Sequence, residues 1–131
     1  MNFKDMENKI HHIGLQITEN DLNAFYITVL GCKIIRTFEV SSQDALSIFG
    51  IPKSVKIVYT QMGNIELELF TDDTPKPVIF NHTCILTNQA NEIANKAMAS
   101  GYRVYVRKKS DNTQTYFVSD SNNNIFEIKA F

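Results

Sequence analysis

The chain repeats itself at an offset of 70 residues. His12 falls on His82, Ala24 on Ala94, Gly31 on Gly101, Lys33 on Arg103 and Ile34 on Val104, and each glycine stands 19 residues after its histidine. Identity between the copies is thin, so the spacing carries the argument. A repeat of this length constrains the fold more than any local signal, because each unit must bury its apolar face against the other. With 131 residues in all, the two modules have roughly 60 residues each, too few to enclose a cleft alone.

Both copies read alike. Lys9–Ile17 is a strand rich in β-branched residues, and Thr18 with Asp21 has the form of a helix N-cap. Leu22, Phe25, Tyr26, Val29 and Leu30 then recur at helical spacing, and Gly31 stops the helix. Lys33–Thr37 is the next strand. The second copy runs from a strand at Asn81–Thr87, through a cap region near Asn88, to a helix carrying Ile93, Ala94, Ala97 and Met98. Gly101 closes that helix and Tyr102–Arg107 follows as a strand. Each copy ends in a strand pair: Val55–Thr60 with Asn64–Phe70 across Gln61–Gly63, and Thr115–Ser119 with Asn124–Phe131 across Asp120–Asn123.

The expected fold is α+β, two repeated β-α-β-β-β modules forming curved mixed sheets around a cleft. One domain spans 1–131, with module one at about 8–72, a proline-punctuated linker at 73–78 and module two at about 79–131. The first copy also holds an extra segment, Ser41–Gly50, which reads as a short helix with Ser42 as its cap. It is either packed on the core or set as a mouth over a binding site.

Composition narrows the partner. A formal net charge of −1 gives no positive field for nucleic acid. No apolar run reaches the ~18 residues of a membrane helix, and the opening segment MNFKDMENKI has no apolar signal-peptide core. Cys32 and Cys84 show no metal-type spacing and suit a reducing cytoplasm with both thiols free. A small molecule is the expected ligand.

Four side chains could carry chemistry. His12 and His82 hold matching places in each first strand. Glu68 and Glu127 hold matching places in each last strand, 56 and 45 residues after their histidines; the difference of 11 is about what Ser41–Gly50 supplies. Singly, a strand histidine is usually an ordinary hydrogen-bonded residue, and a glutamate alternating with Ile and Leu usually faces solvent. Jointly, two imidazoles and two carboxylates in symmetric places have the composition of a site for divalent Ni, Zn, Co, Fe or Mn. By strand alternation Glu66 shares the face of Glu68, Leu67 and Leu69 face the core, and His11 points away from His12. Cys84 shares the face of His82 as a lining residue. Arg103, Arg107, Lys108 and Lys109 form a basic run that either meets solvent or, through Arg107, clamps an anionic group on a substrate.

The stretch His12-Ile13-Gly14-Leu15, with Phe25-Tyr26 and Leu30-Gly31 beyond it, resembles the opening of the vicinal oxygen chelate (glyoxalase/bleomycin resistance/dioxygenase) superfamily. Phe117-Val118-Ser119-Asp120 and Asn124-Ile125-Phe126-Glu127-Ile128 resemble its closing motif, with Ser121 where proline is usual and Asn123 where glycine is usual. Both departures are turn positions and put little of the resemblance in doubt. The resemblance implies that His12, Glu68, His82 and Glu127 bind the metal, in the pattern of glyoxalase I-like and methylmalonyl-CoA epimerase-like proteins. Gln16 stands where glyoxalase I has an arginine for the glutathione carboxylate, and Asp72 where an asparagine is expected. Both changes disfavour glutathione.

What the resemblance implies about activity is a metal-dependent lyase, isomerase or epimerase acting on a vicinal-oxygen substrate. The ion would stabilise an enolate, with Glu127 or Glu68 as base. Gln16, Glu66 and Arg107 would line the substrate site. The alternative is a non-catalytic drug-binding protein of the same fold. A homodimer is the superfamily's habit, and the site can form within one chain or between two.

Overall fold

A computed structural model describes residues 8–131; most of the opening segment read above lies outside them. Eight strands form two four-stranded sheets of the same design. The first holds β1 (Ile13–Ile17), β2 (Lys33–Val40), β3 (Val55–Met62) and β4 (Ile65–Thr71), in the order β1-β4-β3-β2. The second holds β5 (His82–Thr87), β6 (Arg103–Lys108), β7 (Gln114–Ser119) and β8 (Ile125–Ala130), in the order β5-β8-β7-β6. In each, the first strand runs parallel to the last and the other pairs are antiparallel. The expected paired β-α-β-β-β architecture is thus observed.

The first crossover, α1, is an α-helical turn at Glu19–Asp21 that widens into a π-helical stretch at Leu22–Ile27. Thr18 caps it, accepting from Asp21 N. The wide turn shows in Thr28 N and Leu30 N, which bond the carbonyls five residues back. The second crossover, α3, spans Ala90–Ala99 and has no side-chain cap. Phe25 and Tyr26 from the first helix, Val29 just past its end, and Ile93, Ala94 and Ala97 from the second, join one buried cluster. Ile17, Val58, Leu67 and Leu69 of the first sheet complete it, with Ile85, Val118, Phe126 and Ile128 of the second. The helices and one face of each sheet therefore share a single core.

Strand alternation sends the remaining residues to the opposite face of each sheet, away from the helices. The inserted helix, α2 (Ser42–Phe49), lies on this open face of the first sheet, where the Phe49 ring meets Phe70 edge-on at 5.3 Å. The helix is thus set apart from the shared core, with Ala45 buried beneath it. Its cap is Ser41, one residue earlier than expected, accepting from Asp44 N. Gly50 ends it at φ 74, a backbone conformation that costs glycine nothing.

The modules are joined by a polar clasp. Asp21, fully buried, accepts from Tyr102 Oη at 2.7 Å, Ser121 N at 2.7 Å and Ser121 Oγ at 2.9 Å. Tyr26 Oη donates to Asp120 at 2.6 Å. Asn122, Asn123 and Asn124 bond Thr74, Lys76 and Gln16. The two departures from the closing motif are used here. A proline at 121 could not donate the N–H that Asp21 accepts. Asn123 takes the left-handed conformation expected of glycine, φ 65, and its amide reaches the Lys76 carbonyl at 2.7 Å. The departures serve the clasp and leave the expected fold intact.

Candidate metal centre

The register explains why the same pair of residues meets in each module. Gly14, two residues after His12, pairs with Glu68 across β1 and β4. Cys84, two residues after His82, pairs with Glu127 across β5 and β8. Each carboxylate therefore reaches back along its sheet to the imidazole. His12 Nε2 lies 3.7 Å from Glu68 Oε1, and His82 Nε2 lies 3.3 Å from Glu127 Oε1. Both carboxylates are mostly sheltered and both imidazoles are partly exposed.

The far nitrogen of each ring is held as well. His82 Nδ1 lies 2.9 Å from the Phe80 carbonyl, which can only accept. That bond places a proton on Nδ1 and leaves Nε2 turned toward Glu127. His12 Nδ1 lies 2.9 Å from His11 Nδ1, and its Nε2 likewise faces the carboxylate. A lone pair facing a carboxylate oxygen is repulsive unless a cation lies between them. A ring proton or a metal ion meets that need, so the donors fit a divalent ion in chemistry and orientation.

The two pairs do not gather within one chain. Among the described residues, no group of three or more His, Cys, Asp or Glu side chains is placed to hold a metal ion. Each open face carries half of the four-residue set.

The neighbourhood of each half differs. Tyr59 pairs with Glu68 across β3 and β4, donates to Glu66 at 2.9 Å and supports the Arg36 guanidinium 4.6 Å above its ring. Burial raises the Tyr59 phenol, helped by the Glu66 hydrogen bond and charge, so it stays a donor at neutral pH. His11 does not point away from His12. Its ring meets the His12 ring edge-on and its Nδ1 comes within 3.5 Å of Tyr59 Oη. Both histidines precede β1, so strand alternation does not govern them. In the second module Phe117 takes the place of Tyr59 beside Glu127 and Tyr105 follows it. Lys129 Nζ stands 3.5 Å from Glu127 Oε2.

The remaining expected site residues fall as follows. Glu66 shares the face of Glu68, as strand alternation requires, and is held by Tyr59. Gln16 lies on the same face as Gly14, its amide donating to the Thr74 carbonyl. Arg107 is exposed on the open face of the second sheet, in a hollow with Arg103, Tyr105 and Phe117. Asp72 is neutralised by Lys53 at 3.2 Å and capped by Thr74. The Thr74 hydrogen bonds, then Lys53, hold its carboxyl below the usual range. Tyr59 and His11 were missed from sequence. Cys32 is buried and Cys84 exposed, both as free thiols.

Paired β-α-β-β-β sheets of this order are the fold of the vicinal oxygen chelate (glyoxalase/bleomycin resistance) superfamily. Among solved structures, the fosfomycin resistance protein FosX from Listeria monocytogenes, in its hexagonal form, is similar with a TM-score of 0.72 and 16% identity, over 96% of this chain and 95% of that one. A point mutant of that protein, complexed with Mn(II) and 1S,2S-dihydroxypropylphosphonic acid, gives a TM-score of 0.70 at 16% identity, over 95% and 90% of the two chains. FosX from Mesorhizobium loti gives 0.66 at 12% identity, over 95% and 92%. Identities this low establish the fold. No family model matches the chain, and neither does any curated protein sequence.

Proposed function

We propose that this protein is a metal-dependent enzyme acting on a small molecule with two adjacent oxygen atoms, by lyase, isomerase or epimerase chemistry. It works as a homodimer in which the first sheet of one copy faces the second sheet of the other. The observation that carries this reading is the twin arrangement of His12 with Glu68 and His82 with Glu127, on matching registers of two separate open faces. Facing one half with the other supplies two imidazoles and two carboxylates. FosX, a protein of this fold, holds Mn(II). Exposed Leu86 and Tyr105 on the second open face, and Val78, Ile79 and Phe80 at the end of the linker and just past it, give the apolar surface such a pairing would cover. No helix of the described residues is long and apolar enough to cross a membrane.

A divalent ion held by these four residues would act as a Lewis acid toward charge developing on substrate oxygen. The protein supplies the rest. His11 and the Phe80 carbonyl fix the rings, and Tyr59 fixes Glu66 and stays protonated. A carboxylate takes the proton from the carbon next to the substrate carbonyl. Lys129 tethers Glu127, whereas among the described residues Glu68 meets no lysine or arginine within salt-bridge distance. Glu68 is therefore the freer base and Glu127 the alternative. Arg107 is placed to meet an anionic substituent.

Mixing two variants tests the reading. A His12→Ala chain and a His82→Ala chain each lose every complete site in a homodimer. Their heterodimer regains one complete site, since one copy keeps the first half and the other keeps the second. Titration with Mn(II), Ni(II) and Zn(II) should show no tight binding by either variant alone and recovery on mixing. Absence of recovery, with metal bound by the wild type, would place the site within one chain. A wild type that binds no metal would instead make the cleft that of a small-molecule binding protein.

A further inference from the structure

The inserted helix α2 does not seal against the sheet beneath it. A cavity of about 220 Å³ lies between them. Its walls are Phe49, Ile51, Val55 and Phe70, with Ala45 as its roof. Its only charges, Lys53 and Asp72, cancel each other at 3.2 Å. Its position follows from the strands. Gly14 and Gln16 continue the row begun by His12, and Phe70 and Asp72 continue the row of Glu68. Two residues of strand span about 7 Å, so the cavity opens one step along the sheet from the His12–Glu68 pair. Gly14 is what lets Phe70 lie flat there, since a Cβ at that position would stand 3.2 Å from Phe70 Cε1.

We infer that this cavity is the specificity pocket for the far end of the substrate, and that it takes an uncharged aryl or branched alkyl group on a two- or three-atom arm from the oxygens. The volume is ample for one six-membered ring, since an apolar cavity of about 150 Å³ already holds benzene. The apolar walls reward burial of hydrocarbon, and the cancelled charges offer nothing to an anion at this end. Placement beside His12 and Glu68 ties the pocket to the proposed reaction, on which the choice of arm length rests. Apolar binding in the cavity does not depend on it.

The test uses two hydroxamates, which present adjacent oxygens, on the Mn(II)-loaded protein in a calorimeter. 3-Phenylpropanohydroxamate should bind about 30-fold more tightly than acetohydroxamate, from burying roughly 80 Å² of aryl surface. Ile51→Trp at the rim and Ala45→Leu in the roof should each remove most of that advantage while leaving acetohydroxamate affinity and metal affinity unchanged. Ile51 is half exposed, so its replacement does not threaten folding. Equal affinities in the wild type, or an advantage that survives both fillings, overturns the pocket. A parallel measurement separates this failure from failure of the metal reading. On metal-free protein, 3-phenylpropanol should shift the methyl NMR signals of Ile51 and Val55. Shifts there uphold the pocket even if neither hydroxamate binds, and their absence overturns it.

Discussion

Replacing Asp21 with alanine should cost about 4 kcal/mol of folding stability. The side chain is fully buried and accepts three hydrogen bonds, from Tyr102 Oη, Ser121 N and Ser121 Oγ. Hydrogen bonds to a charged group are worth about 1.5–3 kcal/mol each when all else is equal. The two hydroxyls can turn to water, because Tyr102 and Ser121 retain some exposure, so each contributes about 1 kcal/mol. The Ser121 N–H cannot turn away, and leaving it without a partner costs about 2 kcal/mol. Domains commonly hold about 5–15 kcal/mol, so the substitution removes about a quarter of the total or more. Urea unfolding followed by far-UV circular dichroism reads it as a midpoint lowered by about 2 M at a slope near 2 kcal/mol/M. Tyr102→Phe alone should cost about 1 kcal/mol, and almost nothing when Asp21 is already alanine. A loss below 1 kcal/mol for Asp21→Ala, or strict additivity with Tyr102→Phe, would refute the claim that this carboxylate joins the modules.

Ser121→Pro should destabilise the fold by about 2 kcal/mol, because it removes the N–H that Asp21 accepts; a neutral result in thermal unfolding would contradict the clasp. Alkaline pH should also weaken the protein. Burial first, then the Asp120 carboxylate, raises the Tyr26 phenol, and burial followed by the Asp21 hydrogen bond raises Tyr102. Burial pushes the Cys32 thiol up to about 11. All three bind protons more tightly folded than unfolded, so their stability is complete below the unfolded values and is lost as pH rises through about 9 and above. Urea midpoints measured from pH 8 to 11 should fall, and Tyr26→Phe should make the fall shallower. At the opposite end Asp72, held low by Thr74 and Lys53, stabilises the fold above about pH 4. That contribution disappears as pH drops further, as acid titration of Asp72→Asn beside the wild type should show. Gly14→Ala should drive Phe70 into the cavity under α2 and weaken 3-phenylpropanohydroxamate about threefold to tenfold, leaving acetohydroxamate untouched.

The repeat made much of this fold legible, because an offset of 70, shortened to 59 at the glutamates by the Ser41–Gly50 insertion, aligns both sheets, both crossovers and both His–Glu pairs from spacing alone. Alternation in β4 correctly turned Leu67 and Leu69 inward and Glu66 and Glu68 outward. What escaped depended on contacts that sequence spacing does not encode. The hairpin between β3 and β4 turns at Gly63-Asn64, with Gly63 at φ 57, and not across Gln61–Gly63. The earlier turn would have slipped the pairing and put Tyr59 opposite the wrong residue. The true register sets Tyr59 beside Glu68, which brings it into the candidate site. His11 was misplaced because strand rules were applied to residues that precede the strand. The partners of Ser121 and Asn123 escaped because a turn read alone hides them, and they lie in the first module and in the linker. The halving of the metal set could not be read at all, since it depends on where the two open faces point.

The linker bears on how the protein would assemble. Lys76 bonds the 122–124 turn through its backbone N–H, its carbonyl and its ammonium. The connection between modules is therefore sewn down and cannot serve as a hinge. A single chain reaches its final internal arrangement by a first-order process, with its shared core complete and its His–Glu pairs apart. In the proposed homodimer, joining the pairs would require a collision between two finished molecules. Occupancy of the proposed centre would thus depend on protein concentration as well as metal concentration, and dilution alone would release the ion.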